Sequence, residues 1–263
     1  MKEIWEDGRF LPEEGAEIPS LDGEAGLFET ILVRGGTPVL VEAHVDRLVR
    51  SAAALGLAAA PDRAELCEAC RLLPARCDIE EGRMRIAHTG HPGGRVVVNI
   101  DPFSGYPPEV YEEGAEAALD AEPGHPLGEA AGHKVLPYTP LLEARNRARL
   151  KGALDMIFWC EDGALLEGSA SNVFVVKAGE VRTPPLSRGI LPGVTRAAVL
   201  AAARRRGLSA QEADVFMAEL GEVEEAFLTG SLMEIAPLRR VGNVEIPPGA
   251  VARELLGAIR SAH

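Results

Sequence analysis

A polar stretch broken by proline and glycine, Asp120-Ala121-Glu122-Pro123-Gly124-His125-Pro126-Leu127-Gly128, divides the chain into two periodic blocks. A chain cut this way is expected to build two cores. The reading is a smaller α+β domain over 1–119, a linker over 120–131, and a larger α/β domain over 132–263. In the first block, Leu27-Phe28-Glu29-Thr30-Ile31-Leu32-Val33 and Thr37-Pro38-Val39-Leu40-Val41 flank Gly35-Gly36 as a hairpin. Helices are predicted over 43–57, with Val45, Leu48, Ala52 and Leu55 on one face, and over 61–73, with Pro61 in the first turn. Strands 83–88 and 95–100 flank the turn Gly90-His91-Pro92-Gly93-Gly94, and 114–119 reads as one more strand. In the second block, helix and strand alternate. Helices are expected at 141–152, 194–206, 213–220 and 250–259, and strands at 154–159, 172–177, 179–183, 225–229 and 234–241.

Composition matters here for what it excludes. A net charge of −13 argues against nucleic acid or an anionic membrane as the main partner. An acidic chain that binds a phosphate must do so locally, with an arginine and backbone N–H groups. No apolar run approaches the roughly 20 residues of a membrane span. The opening Met1-Lys2-Glu3-Ile4-Trp5-Glu6-Asp7 has no apolar signal core, so a cytoplasmic location is expected. Cys67-x-x-Cys70 has the spacing of half a zinc site but lacks a second ligand pair. No metal is therefore expected, and the thiols read as reduced and partly buried.

The residues that could carry chemistry lie mostly between 134 and 196. Lys134 follows the linker and is a candidate amine nucleophile if burial depresses its pKa; an ordinary surface lysine is the plain alternative. Glu167 ends an apolar strand and precedes Gly168-Ser169-Ala170-Ser171-Asn172. A carboxylate there could keep a pyridine nitrogen protonated, or could merely sit in a turn whose Ser169 and Asn172 bond the backbone. Leu191-Pro192-Gly193-Val194-Thr195-Arg196 brings a close-approach glycine to a helix start, where N–H groups and the helix dipole suit an anion. Thr229-Gly230-Ser231 is a second break at the end of a strand. Arg47, three residues after His44 on one helix face, could add a full positive charge; a solvated helix arginine is the alternative. No Ser-His-Asp order, P-loop or Gly-x-Gly-x-x-Gly motif is present.

Taken in order, Phe28-Glu29-Thr30, His44-Val45-Asp46-Arg47-Leu48, Lys134, Glu167 to Asn172, Thr183-Pro184, Leu191 to Arg196 and Ser231 to Pro237 resemble the class IV (fold-type IV) pyridoxal-phosphate enzymes. That family includes branched-chain and D-amino-acid aminotransferases and 4-amino-4-deoxychorismate lyase. The resemblance spans about residues 25–240. It implies a two-domain α/β (α+β) fold with pyridoxal 5′-phosphate between the domains, and a homodimer. Lys134 resembles the lysine that forms the Schiff base and then moves the proton. Glu167 resembles the partner of the ring nitrogen, with Asn172 beside it. Arg47, Gly193, Val194, Thr195, Gly230 and Ser231 resemble the phosphate cup, and Tyr138 stands near the family's ring-neighbour tyrosine.

The expected activity is amino-group transfer between an amino acid and a 2-oxo acid. Aminodeoxychorismate lyase, which releases pyruvate and 4-aminobenzoate for folate synthesis, is the alternative, because the same electron sink serves both. D-specific members carry an Arg-x-His carboxylate trap, and the corresponding region, 95–103, lacks it. The stretch before Phe28 is abbreviated to Leu21-Asp22-Gly23-Glu24-Ala25-Gly26, so a wall of the substrate pocket is expected to differ. Two rivals stand outside the family. A Schiff-base aldolase would need no phosphate cup, and a non-catalytic phosphate-ligand module would need neither Lys134 nor Glu167.

Overall fold

A computed structural model describes residues 2–57, 62–89 and 94–262. The predicted helix start at Pro61 and most of the predicted turn at 90–94 lie outside them. The elements in chain order are β1 (Glu3–Glu6), β2 (Arg9–Pro12), β3 (Gly26–Arg34), β4 (Thr37–Pro38), α1 (Val41–Ala54), α2 (Arg63–Cys77), β5 (Gly82–Thr89), β6 (Arg95–Pro102), β7 (Ala115–Leu119), β8 (Val135–Leu136), α3 (Thr139–Leu150), β9 (Asp155–Trp159), β10 (Leu165–Gly168), β11 (Asn172–Lys177), β12 (Glu180–Thr183), α4 (Val194–Arg205), β13 (Ala210–Glu212), β14 (Glu225–Gly230), β15 (Glu234–Val241), β16 (Val244–Glu245) and α5 (Val251–Arg260).

The chain forms two compact units. One holds Met1–Gly105 with His133–Thr139, and the other Tyr106–Gly132 with Pro140–His263. This corrects the boundaries expected from composition. Composition puts β7 with the first block, yet it pairs in parallel with β15 and β9 of the second unit. It puts residues 133–139 with the second block, yet β8 pairs with β3 of the first. Strand pairing joins segments far apart in sequence, and a local reading of composition does not see it.

In the first unit the sheet runs β2-β1-β6-β5-β3-β4, with β8 also against β3. Alternation on β3 sends Leu27, Ile31 and Val33 into a core with Met84 and Ile86 of β5 and Val96, Val98 and Ile100 of β6. Helix α1 adds Val41, Val45, Leu48 and Ala52 to that core, and α2 adds Leu66, Cys67, Cys70 and Leu73. Cys67 and Cys70 are thus free, buried core thiols on α2. Pro74 lies inside α2 near its end, so the helix runs past the expected stop at Leu73.

The second unit has a different architecture. Its strand order is β10-β9-β7-β15-β14-β11-β12-β13, and β10 also pairs with β11. The strands β10, β9, β7, β15, β14 and β11 therefore close into a ring, and the pair that closes it is Glu167 opposite Asn172. One apolar cluster draws from every strand of the ring: Ala117, Ile157, Leu165, Val173, Leu228 and Ala236 are among its members. That cluster is the ring interior. The alternate side chains Phe174, Val176, Phe227 and Ile235 face outward, under Val199 and Ala203 of α4 and Ala252 and Leu255 of α5. Both faces of β11 are covered, which is why its sequence is a continuous apolar run rather than an alternating one.

The helix expected over 213–220 is absent. The chain there is extended through Phe216, which bridges Ala164, and turns as a short 3₁₀ segment over Met217–Glu222. Val215, Leu220 and Val223 plug the ring interior, and Val215 O accepts from Leu165 N. Burial of these apolar residues in a ready cavity outweighs the helix propensity of Met-Ala-Glu-Leu.

The stacked rings of Phe174 and Phe227, 5.0 Å apart and 7° from parallel, link the paired strands β11 and β14 on the face that packs under the helix layer. Truncating fully buried Phe227 to alanine should cost about 3–5 kcal/mol, read from denaturant unfolding of the whole chain. A loss under about 1 kcal/mol would show that the layer does not depend on this stack.

Candidate active site

In the first unit the site is built on a charge buried in an apolar core. Glu29 shares the inward side of β3 with Leu27 and Ile31 and is 1% exposed. Helix α1 meets it with His44 and Arg47, three positions apart on one face. Arg47 donates from Nε to Oε1 at 2.8 Å and from a terminal nitrogen to Oε2 at 2.6 Å. His44 Nδ1 stands 2.7 Å from Oε2, and a carboxylate only accepts, so the proton is on Nδ1. Burial opposes the Glu29 charge, but the Arg47 guanidinium and the His44 hydrogen bond outweigh it and hold the carboxyl down at about 2. Burial pushes His44 down, and the positive charges of Arg47 and Lys134 add to that against the pull of Glu29.

Lys134 lies beside this cluster. Its carbonyl accepts from Phe28 N at 3.0 Å as the chain enters β8. Its Nζ sits 4.4 Å from the centre of the Phe28 ring and 5.0 Å from that of Tyr138. Those two rings meet edge to face at 4.9 Å and 78°. The neighbouring His133 Nδ1 lies 2.9 Å from Ser51 Oγ, one turn further along the face of α1 that carries Arg47.

In the second unit the site gathers where the strand ring closes. Glu167 and Asn172 face each other in register, with the turn Gly168–Ser171 between them. Asp155, fully buried, organises this turn: its carboxylate accepts from Met156 N at 2.9 Å, Ala170 N at 3.1 Å, Ser171 Oγ at 2.7 Å and Ser169 Oγ. A Cβ on Gly168 would collide with Ser171 Oγ and the Asp155 carboxylate, so this position requires glycine. Glu167 is 5% exposed. Its Oε1 accepts from Leu191 N and its Oε2 from Asn172 Nδ2, each at 3.0 Å. Asn172 Nδ2 also reaches Leu191 O at 3.0 Å, tying the loop before α4 to the closing pair. Gly193 is the N-cap of α4, offers no side chain to cap it, and lies so near Asn172 Oδ1 that a Cβ would clash. Val194 and Thr195, both buried, form the first turn. Asn172 pairs with Thr229, whose buried Oγ1 has no hydrogen-bond partner among the described residues, and Gly230 follows it at the end of β14. Ser231 opens the turn into β15.

The sequence model of the family described as Amino-transferase class IV matches residues 26–241. The chain belongs to the class IV aminotransferases. It is 29% identical over 261 residues to aminodeoxychorismate lyase of Bacillus subtilis, covering 92% of this chain and 87% of that protein. It is also 29% identical to the bifunctional aminodeoxychorismate lyase / D-amino acid transaminase of Mycobacterium tuberculosis, covering 86% and 85%. Among solved structures it superposes on the PLP-bound form of a hypothetical aminotransferase from Mycobacterium tuberculosis at a TM-score of 0.84 and 26% identity, covering 99% and 98%. Members of this family are pyridoxal-phosphate enzymes, and the chain is one of them.

The residues of the second unit fit that cofactor. A helix start without a side-chain cap, a glycine pressed against Asn172 and an orphaned Thr229 hydroxyl are what a bound phosphate ester would use. The Glu167 carboxylate can accept from a protonated ring nitrogen. Of the expected residues, Arg47, Lys134 and Tyr138 fall in the first unit; Glu167, Asn172, Gly193, Val194, Thr195, Gly230 and Ser231 fall in the second. Arg47 does not stand in solvent: it is 4% exposed and committed to Glu29. Among the described residues no group of three or more His, Cys, Asp or Glu is placed to hold a metal ion.

Three residues of these clusters have no role in the sequence reading. Glu29 and Asp155 each carry a signal, since a carboxylate at an inward strand position must have a built partner. His125, whose Nε2 lies 3.2 Å from Glu167 Oε1, carries none, because nothing local distinguishes it in a Pro- and Gly-rich connector.

Because the folded Glu29 carboxyl is held near 2 and the ordinary value is 4.5, the unfolded chain binds more protons between those limits. Stability is therefore fully present above pH 4.5 and is lost as pH falls towards 2, by about 3 kcal/mol. Glu29→Gln should lack this acid loss and be destabilised near neutrality by about 3–5 kcal/mol, because Arg47 stays buried without its counter-charge. Denaturant unfolding at several pH values reads both effects. Parallel pH profiles for the two proteins would refute the assignment.

Proposed function

We propose that the chain is an aminotransferase that moves an amino group between an amino acid and a 2-oxo acid, with Lys134 as its catalytic residue. The observation that carries this reading is the setting of Lys134 Nζ against the rings of Phe28 and Tyr138. An amine set between two ring faces is held in one place, where it can act as a nucleophile once it has lost its proton.

When bound, pyridoxal phosphate supplies an electron sink that makes a bond at the α-carbon of an amino acid breakable. In this reading Lys134 Nζ would hold the cofactor's aldehyde end and would then take the proton from the substrate α-carbon. Glu167, held by the N–H groups of Leu191 and Asn172, would accept the ring N–H. By resemblance to the family, Arg47, located by its two bonds to Glu29, would be a phosphate contact, and so would the first turn of α4 with Thr195, Gly230 and Ser231. Tyr138 walls the lysine. The resemblance to the family supports each of these roles.

On this reading, reconstitution with pyridoxal phosphate gives a visible absorption band that survives dialysis, and Lys134→Ala abolishes it. A colourless protein that ignores the cofactor would sink the proposal. The lyase reading is kept in play by the Bacillus subtilis relative. Single-turnover mixing separates the two. Bleaching by an L-amino acid, with release of the matching 2-oxo acid, supports transamination; release of pyruvate together with 4-aminobenzoate from aminodeoxychorismate makes the chain a lyase. A homodimer is also proposed, on the family resemblance. Light scattering should give twice the chain mass, and a mass of one chain would remove the proposal.

A further inference from the structure

The connector Asp120–Gly128, which divides the chain in sequence, is pinned to the second unit. Trp159 Nε1 donates to Asp120 O at 2.9 Å, and Gly124 N donates to Trp159 O at 2.7 Å. This places His125 indoors. Its ring meets Phe158, fully buried on β9, edge to face at 5.1 Å and 68°. Its Nδ1 accepts from Leu127 N at 3.2 Å, so in the neutral ring the proton resides on Nε2. Nε2 stands 3.2 Å from Glu167 Oε1, yet it is buried and has no aligned hydrogen-bond acceptor. A donor at contact distance from a carboxylate but off its line is an arrangement that a small turn of that carboxylate would complete.

We infer that His125 is a positioning residue for Glu167: its neutral Nε2–H holds Oε1 while the carboxylate accepts the N–H of the cofactor ring. This rests on the reading of Glu167 as the ring-nitrogen partner. The local chemistry supports it in three ways. Leu191 N and Asn172 Nδ2 donate to the carboxylate, and His125 Nε2 is the third N–H at contact distance; each can stabilise the anion without taking its charge. The Nδ1 bond to Leu127 N fixes which nitrogen faces Glu167, as an outer partner does for a metal-bound histidine. Phe158 fixes the ring plane, so the donor cannot swing away.

The test uses the full chain in three forms besides wild type: His125→Leu, His125→Gln and Glu167→Gln. In the wild-type protein without cofactor, nitrogen–proton correlation spectra of the histidine rings should show His125 as the Nε2–H tautomer; the Nδ1–H tautomer would overturn the inference. With pyridoxal phosphate labelled at the ring nitrogen, the wild-type nitrogen signal should be that of a protonated ring. Glu167→Gln should move it to the unprotonated position, and His125→Leu should move it part-way. His125→Gln, whose side-chain amide restores an N–H donor, should move it back towards wild type. His125→Leu should also weaken cofactor retention about tenfold by equilibrium dialysis. A signal that moves in Glu167→Gln but not in His125→Leu overturns the role of His125. A signal unmoved even in Glu167→Gln means instead that the reading of Glu167 has failed, and the inference falls with it.

Discussion

The second unit depends on the bonds that Asp155 makes. A carboxylate with no exposed surface survives there because backbone N–H groups and two serine hydroxyls satisfy it. Those bonds shape the turn Gly168–Ser171. The turn sets Glu167 opposite Asn172, and that single pair closes the ring of strands. The geometry of the fold and the aim of the Glu167 carboxylate therefore rest on the same group. Loss of the Asp155 bonds would loosen ring closure and site together.

The first unit solves a similar problem with ionic partners. Glu29 is buried on β3, and Arg47 and His44 of α1 supply the compensation. A buried pair of this kind is weak evidence for stability, because desolvation offsets much of the attraction. What it does secure is position. Arg47, a long and flexible side chain, is held at two nitrogens, and the helix face that carries it continues to Ser51 and to His133, next to Lys134. In each unit a buried carboxylate locates the residues assigned to chemistry.

Much of the architecture was legible in the chain. The strands at 27–33, 83–88, 95–100, 172–177 and 225–229 and the helix from Val194 appear within a residue or two of expectation, because apolar periodicity and Pro-Gly breaks mark them directly. The helix expected at 213–220 failed where a tertiary cavity claimed Val215 and Leu220. The domain boundaries failed where pairing moved β7 and β8 across the linker. Lys134, Glu167 and the turn into α4 stand out as candidates through the order of motifs along the chain. Asp155 and His125 were not, since each meets its decisive partners only after the chain has turned back on itself.

The sequence by itself determined the family and, through it, the cofactor. The ordered series from Phe28 to Pro237 carries residue types whose chemistry is fixed by their side chains: an amine, a carboxylate, a helix start with glycine. Only the tertiary structure decided how each is held. It committed Arg47 to Glu29, walled Lys134 with Phe28 and Tyr138, closed the ring at Glu167 and Asn172, and brought the His125 ring out of an unremarkable connector to face that carboxylate. The physical reason is that burial and hydrogen-bond partnership are properties of the folded packing. A local stretch can state which groups are present, and the fold alone states which of them must satisfy one another away from water.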